Sequence, residues 1–376
     1  MNCMRVLVTG ATGRVGTNMI MRLITAGAEV KAMVLPGDPH GSKLDAFPDV
    51  EVVEADLTDQ TAVDVACRDV THVVHLAAQL MRGDTPVDRF YDINAFGTLR
   101  LLEGVVRAGG IERFVLASSD GTYRPGRPPA RPLRENSWQQ PADYYGTSKL
   151  LGEIILRNHA VQFDIPYAIV RFATVVSPEE AGTMFRLSFW RSVLEWQRLG
   201  KDSHLWPLFD GQPDLVTLLD HQAGDAAPDT AVGLRDPDYQ PWTISLLDVR
   251  DAVDGVHRAL TEPGAVGQAL NLAAMKPTTH DEGAAVIAGL YGVPKLMVTM
   301  PMRHRLEVSI DSAIGRLGFW PEHDFRNTVR GGLQGADDYV PAQSTSGIAA
   351  TWPRDSSDVH NSHERGGLAG TSQISP

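Results

Sequence analysis

Arg5-Val6-Leu7-Val8-Thr9-Gly10-Ala11-Thr12-Gly13-Arg14-Val15-Gly16 is the stretch whose reading decides the fold. Its first five residues form a short apolar run rich in β-branched side chains, the composition of a buried strand. Glycines at 10, 13 and 16 follow at once, and Val15, Met19, Leu23 and Ile24 then recur at helical spacing. Strand, glycine turn and helix in that order suit a nucleotide phosphate. Gly10 permits the tight turn, Gly13 lets backbone approach the phosphate, and Gly16 allows the helix to pack closely on the strand. The helix N-terminus then presents free N–H groups and a partial positive charge to a pyrophosphate. The spacing is G-x-x-G-x-x-G, not G-x-G-x-x-G, and the competing reading is a purely structural glycine turn.

The alternation continues downstream. Gly27 closes the first helix, and strands are predicted over Glu29 to Leu35, Val50 to Asp56, Thr71 to Leu76, Arg113 to Ser118 and Tyr167 to Phe172. Helices are predicted from Asn94 to Arg107 and from Tyr145 to Val161. Strands separated by helices, without hairpin turns, imply a parallel sheet covered on both faces. The fold class is therefore α/β, a Rossmann-type doubly wound parallel sheet, with ligands at the carboxyl ends of its strands. After Pro178 the alternation breaks down. Thr183 to Gly200 reads as helical and Lys201 to Pro241 as loop-rich; a strand over Trp242 to Leu247, a helix over Val249 to Leu260, a strand over Ala269 to Leu272 and a helix over His280 to Tyr291 follow. Residues 1–178 are read as the dinucleotide-binding domain. Residues 179–335 are mainly a smaller C-terminal substrate-binding cap, with some strands returning to the first domain. Residues 336–376, rich in Ser, Gly, Asp, Thr and Pro, read as a disordered tail.

The chain has 376 residues and a formal charge of −12, which argues against a nucleic-acid or anionic-membrane surface. Cys3 and Cys67 are its only cysteines, so neither a disulfide framework nor a cysteine-rich zinc site is available. No apolar run reaches the ~20 residues of a membrane span, and the start lacks a secretory pattern. A cytoplasmic protein is expected, with a small-molecule substrate and no nucleic-acid, membrane or metal partner. His72 and His75 straddle a buried strand without a carboxylate cluster, and read as core or loop histidines.

The chemistry-bearing run is Tyr144-Tyr145-Gly146-Thr147-Ser148-Lys149. Residues four apart share a helix face, so Lys149 can stand beside the Tyr145 phenol, whereas Tyr144 points away. A free tyrosine has a pKa of about 10. A neighbouring ammonium, with a positively charged nicotinamide, is expected to depress it and make Tyr145 a proton carrier. Ser119 ends the fifth strand, where its hydroxyl can bond a substrate oxygen; capping the loop is its alternative role. The missing G-x-S-x-G excludes a serine hydrolase of the nucleophile-elbow type. The cofactor is NAD or NADP. The second strand runs out at Ala32-Met33-Val34-Leu35-Pro36 with no acid before Asp38, and Arg14, Lys31 and Lys43 could meet a 2′-phosphate, so the reading tilts to NADP. Asp56 could accept a bond from the adenine amino group or cap the segment beginning at Thr58.

These pieces together resemble the extended short-chain dehydrogenase/reductase superfamily, of the NAD-dependent epimerase/dehydratase type, across about residues 4–333. The matching runs are Thr9 to Gly16, Ala55-Asp56-Leu57-Thr58, His75-Leu76-Ala77-Ala78, Asn94-Ala95-Phe96-Gly97-Thr98, Ser118-Ser119 and Tyr145-Gly146-Thr147-Ser148-Lys149. The resemblance implies a catalytic triad of Ser119, Tyr145 and Lys149. It also implies that Gly10, Thr12, Gly13, Arg14, Val15, Gly16, Asp56, Leu57, Ala77, Ala78, Asn94, Tyr145 and Lys149 hold the dinucleotide, and that a homodimer forms through the helices beginning near Asn94 and Tyr145. Nucleotide-sugar epimerases of this type end the sixth strand in Arg-x-x-Asn-x-x-Gly-Pro, whereas this chain has Arg171-Phe172-Ala173-Thr174-Val175-Val176-Ser177-Pro178. Thr174 and Ser177 replace the Asn and Gly, and the usual diphosphate-clamping Arg near Pro241-Trp242-Thr243-Ile244 is missing. Arg186, Arg191 or Arg198 could compensate. Phe185, Phe189, Trp190 and Trp196 could line an apolar pocket, a dimer contact or the core. The expected function is hydride transfer between nicotinamide and a carbinol or ketone of a small sugar-like or other alcohol. The alternatives are a nucleotide-sugar epimerase or dehydratase with retained NAD, and a non-catalytic NAD(P)-binding regulatory protein.

Overall fold

The structure is a computed structural model that describes residues 4–80, 85–203, 205–336 and 338–341. The chain opens with β1 (Arg5–Thr9), α1 (Arg14–Thr25), β2 (Glu29–Val34), β3 (Glu51–Glu54), α2 (Gln60–Ala66) and β4 (His72–His75). It continues through α3 (Val87–Tyr91), α4 (Gly97–Ala108), β5 (Arg113–Ser119), α5 (Tyr144–Phe163) and β6 (Tyr167–Phe172). These six strands and Gln268–Leu272 form one parallel sheet. β1 lies between β2 and β4, with Val8 opposite both Ala32 and Val74. Strand order therefore reverses at the β1/β4 boundary, which opens a crevice at the carboxyl ends of those two strands. The strands read as unbroken apolar runs because both faces are covered. One face packs on Met19, Ile20 and Leu23 of α1, the other on Leu101 and Leu102 of α4 and Leu156 of α5. The α/β doubly wound sheet expected from the sequence is the observed architecture.

Downstream come β7 (Thr174–Val176), α6 (Pro178–Ala181), α7 (Leu187–Glu195), α8 (Trp206–Phe209), α9 (Leu215–Ala223), β8 (Ala231–Arg235), β9 (Thr243–Ile244) and β10 (Leu246–Asp248). They are followed by α10 (Val249–Thr261), β11 (Gln268–Leu272), β12 (Thr278–Thr279), α11 (His280–Tyr291), β13 (Lys295–Thr299), α12 (Asp311–Leu317) and α13 (Phe325–Gln334). β11 pairs with β6 and completes the main sheet, while α10 and α12 pack beside it. The remaining strands pair off as β10 with β7, β12 with β9 and β13 with β8.

The stretch 201–241, read as loop-rich, contains α9 and β8. Asp, Gly and Pro around these short elements masked the Leu215, Val216 and Leu219 stripe and the run Ala231-Val232-Gly233-Leu234. Gly233 lowers the strand signal, yet its position requires glycine: a Cβ there would lie 2.6 Å from the His280 carbonyl oxygen. The helix expected over Thr183 to Gly200 is regular only from Leu187 to Glu195, because Phe185 takes a left-handed φ of 54° just before it. The segment also has a core of its own, including Phe185, Trp190, Leu194, Val232 and Phe325.

Of the tail expected to be disordered from 336, residues 342–376 lie outside the described residues. Its first part departs from the expectation by packing on the body. Asn18 exchanges two hydrogen bonds with the Val340 backbone, at 2.6 and 3.0 Å, and Asp338 pairs with Arg250 at 3.1 Å. Cys3 lies outside the described residues; Cys67 is buried with a free thiol.

Candidate active site

The phosphate cradle is built from three close approaches. Gly10 has a φ of +66°, and a Cβ on it would lie 2.8 Å from the Ala77 nitrogen, so glycine is required where the turn passes the end of β4. A Cβ on Gly16 would sit 2.0 Å from the Gly10 carbonyl oxygen, which fixes helix against turn. Gly13 is the N-cap of α1, carries no capping side chain, and leaves first-turn N–H groups uncovered. These features fit a pyrophosphate at the α1 N-terminus. Thr12 donates to Asp38 at 2.6 Å, which brings that carboxylate to the cradle although three residues separate it from the end of β2.

The cations expected to favour a 2′-phosphate are engaged elsewhere. Arg14 turns to Glu180 at 2.8 Å and to the Val175 carbonyl. Lys31 lies inside β2, held by Glu51 at 3.2 Å and the Arg68 carbonyl at 2.9 Å. Lys43 binds the Thr12 carbonyl at 3.0 Å, and burial pulls its ammonium down. With Asp38 at the cradle and these three committed, the tilt toward NADP is withdrawn.

Val15 packs half-buried on the core. Asp56 accepts from Thr58 N–H at 2.9 Å, and Asp59, not Asp56, caps α2. Leu57 is buried against Gly97, where a Cβ would come within 3.0 Å of it. Ala77 donates to Thr9 Oγ1 at 3.1 Å, and Ala78 follows in the same loop. Asn94 sits in a π-helical turn, Asp92–Phe96, and its amide is fully engaged as a donor. It clamps Gln79 through bonds of 2.8 and 3.0 Å and reaches Ser148 at 2.9 Å. Asn94 therefore positions the loop after β4 against α5, and its N–H groups are not free for a dinucleotide.

Tyr145 and Lys149 stand on α5, whose start is fixed by Asp143 accepting from Gly146 N–H at 2.8 Å. Ser119, at the end of β5, lies beside the half-buried Tyr145, whose phenol it acts to lower, and caps the following turn by accepting from Gly121 N–H at 3.0 Å. Of the two roles considered for this serine, the capping one is present. The depression of the phenol expected from Lys149 is not what the structure gives. Burial pushes Tyr145 up; the Ser119 hydroxyl opposes this, and the Asp120 and Asp143 carboxylates add to it. Burial lowers the Lys149 ammonium to about 8 against the pull of Glu153. Lys149 in turn adds to the burial that holds His75 at about 3, so His75 is a neutral link between Thr9 at 2.7 Å and Thr98 at 3.1 Å. The described residues contain no cluster able to hold a metal.

Several site residues escaped the sequence reading. Asp120 follows Ser119, is buried, and leaves Oδ2 without a partner; burial raises it to about 7. Beneath the site Arg171 makes two bonds to Glu153, at 2.8 and 2.7 Å, and Glu153 accepts from Ser118 at 2.6 Å. Burial opposes ionisation of Glu153, but these partners outweigh it and hold its carboxyl below the usual range. The helix-start signal at Asp143, just before Tyr144, was legible; a buried ion pair joining residues 153 and 171 was not.

Of the aromatic group, Phe185 and Trp190 are core, and Trp190 with Phe189 and Trp196 also lines a cavity beside Ser119 and Tyr145, as does Thr174. Arg186 bonds the Gly182 carbonyl at 2.8 Å and lies over Tyr291, and Arg191 pairs with Asp220 at 2.7 Å. Neither they nor Arg198 line the cavity.

The profile of a family described as "NAD dependent epimerase/dehydratase family" matches residues 6–223. A putative UDP-glucose 4-epimerase of Methanocaldococcus jannaschii is 34% identical over 173 residues, 45% of this chain and 55% of that protein. The chain spans about half the length of several curated relatives that it matches. A UDP-glucose 4-epimerase of Rhizobium leguminosarum is 26% identical over 334 residues, 86% of this chain and 95% of that protein. Among solved structures, a short-chain dehydrogenase/reductase superfamily protein from Agrobacterium tumefaciens with bound NAD superposes with a TM-score of 0.75. It is 29% identical, over 88% of this chain and 96% of that one. With a cradle shaped by three glycines, a Ser119–Tyr145 contact at the strand ends and a profile match across more than half its length, this chain belongs to the NAD-dependent epimerase/dehydratase family.

Proposed function

We propose that the protein binds NAD and catalyses hydride transfer at a carbinol or ketone carbon, with Tyr145 as the proton carrier. The observation that carries this reading is that Ser119 and Tyr145 together line the cavity wall, with Lys149 buried one turn further along the same helix as Tyr145. Gly10, Gly13 and Gly16 with the α1 N-terminus would hold the pyrophosphate, and Asp38 supports NAD over NADP because a carboxylate repels a 2′-phosphate. NAD, when bound, supplies the hydride acceptor or donor. Ser119 orients the substrate oxygen, and Tyr145 gives or takes its proton. Lys149 contributes a buried positive charge that favours the tyrosinate when the proton leaves. Exposed Leu151, Ile154 and Val161 share one face of α5, which supports a homodimer through this helix.

The test is Tyr145→Phe. Turnover, followed as NADH absorbance, should fall by about two to four orders of magnitude while NAD binding by calorimetry persists. Unchanged turnover would refute the role. A second reading, sugar epimerisation with NAD retained, is favoured by the similarity to UDP-glucose 4-epimerases. It would show as isomerisation without net NADH and with coenzyme that survives gel filtration.

A further inference from the structure

The cavity that meets Ser119 and Tyr145 has a volume of about 710 Å3. Its walls are aromatic and aliphatic: Trp190, Trp196 and Trp242 face it together with Phe189, Phe209 and Leu199. Among the described residues that line it there is no lysine or arginine, and the charged groups are all carboxylates, Asp120, Asp143 and Asp202. A diphosphate needs cations or a ring of donors. Here it would meet the Asp143 and Asp202 carboxylates and, among the described residues, no cation. A free sugar would set most of its hydroxyls against indole, phenyl and aliphatic walls, with side chains such as Thr85, Thr174, His280 and His304 as its few partners. Ser119, Tyr145 and Asp120 give one place where an oxygen can be held and a proton moved, and the other polar lining residues, among them Thr174, His280 and His304, are outnumbered by apolar ones. An apolar chamber with a few convergent polar groups is the usual form of a site for a compact hydrophobic ligand.

We infer that the substrate is an uncharged, largely apolar secondary alcohol, or the corresponding ketone, carrying an alicyclic or aromatic ring. It is neither a sugar nor a nucleotide sugar. The inference rests on the hydride-transfer reading above for the reacting oxygen and on the cavity walls for the rest of the molecule.

The experiment uses the full chain saturated with NAD. Cyclopentanol, cyclohexanol, cycloheptanol and cyclooctanol are titrated while the fluorescence of the wall tryptophans and the absorbance of NADH are read separately. The dissociation constant is expected to fall about fourfold for each added methylene, the factor for burying one CH2. Glucose and UDP-glucose should neither bind nor displace cyclooctanol. Leu199→Arg, at a rim position 50% exposed and so tolerant of substitution, should weaken cyclooctanol several-fold. A flat series, tighter binding of UDP-glucose, or an unaffected Leu199→Arg variant would overturn the inference. Tyr145-dependent turnover of UDP-glucose with a flat series would leave hydride chemistry standing and sink the apolar substrate. The expected series with no NADH formed from any alcohol would do the reverse.

Discussion

Asp120 makes the folded protein sensitive to pH through one buried carboxyl. Burial raises it from 3.8 to about 7, and its Oδ2 has no partner among the described residues. In the unfolded chain the group ionises near 3.8, whereas in the folded chain it keeps its proton to about 7. Folding therefore takes up a proton between these values, and this group's contribution to stability declines as pH rises through that window. At ~1.4 kcal/mol per pH unit, three units amount to roughly 4 kcal/mol of destabilisation once the carboxylate is charged. Asp120→Asn keeps the shape and an acceptor for the Ser119 hydroxyl, now 3.3 Å away, but cannot ionise. Urea unfolding followed by circular dichroism from pH 5 to 8.5 should show the variant gaining on the wild type as pH rises. The gain should reach a few kcal/mol and level off above pH 7. Removing the charge also removes one of the influences that raise Tyr145, so any alkaline limb of activity assigned to the phenol should move down. Parallel stability curves, or a variant less stable at pH 8 than the wild type, would refute the reasoning.

Gly16→Ala would drive a Cβ to 2.0 Å from the Gly10 carbonyl, so the cradle must open. NAD affinity by calorimetry should drop at least tenfold, with about 1–3 kcal/mol of stability lost. Arg171→Met strands the Glu153 carboxylate in the core and should cost about 3–5 kcal/mol in denaturant melts; adding Glu153→Leu should restore most of it. Asn18→Ala releases Val340 by removing two hydrogen bonds, so chymotrypsin should cleave after Tyr339, only 8% exposed, several times faster while the melting temperature changes little.

The glycine cradle and the Tyr145–Lys149 spacing were legible in the chain because they depend on neighbours within a few residues. The apolar strands were legible for the same reason, since both faces of a parallel sheet are buried. What was hidden depends on contacts between distant residues. Asp38 reaches Thr12 only because the turn after β2 folds back over the cradle, and its absence from the strand end pointed to the wrong phosphate. Asn94 has the residue type of a ligand contact, but its partners, Gln79 and Ser148, come from two other elements. Spacing reports Lys149 as a neighbour of Tyr145 and not the burial that raises the phenol. Gly233 shows the opposite error: a residue that weakens a strand on average is required where His280 presses on the backbone.

The late arrival of β11 bears on how the gene can be cut. Its partner β6 is synthesised long before it, and everything from β7 to α10 must emerge first. A fragment ending near Pro178 would leave β6 as a naked hydrogen-bonding border, the kind of edge that recruits other chains. Such a fragment should precipitate on expression, while one that runs on through β11 keeps the parallel crossover by way of α10 and covers that border.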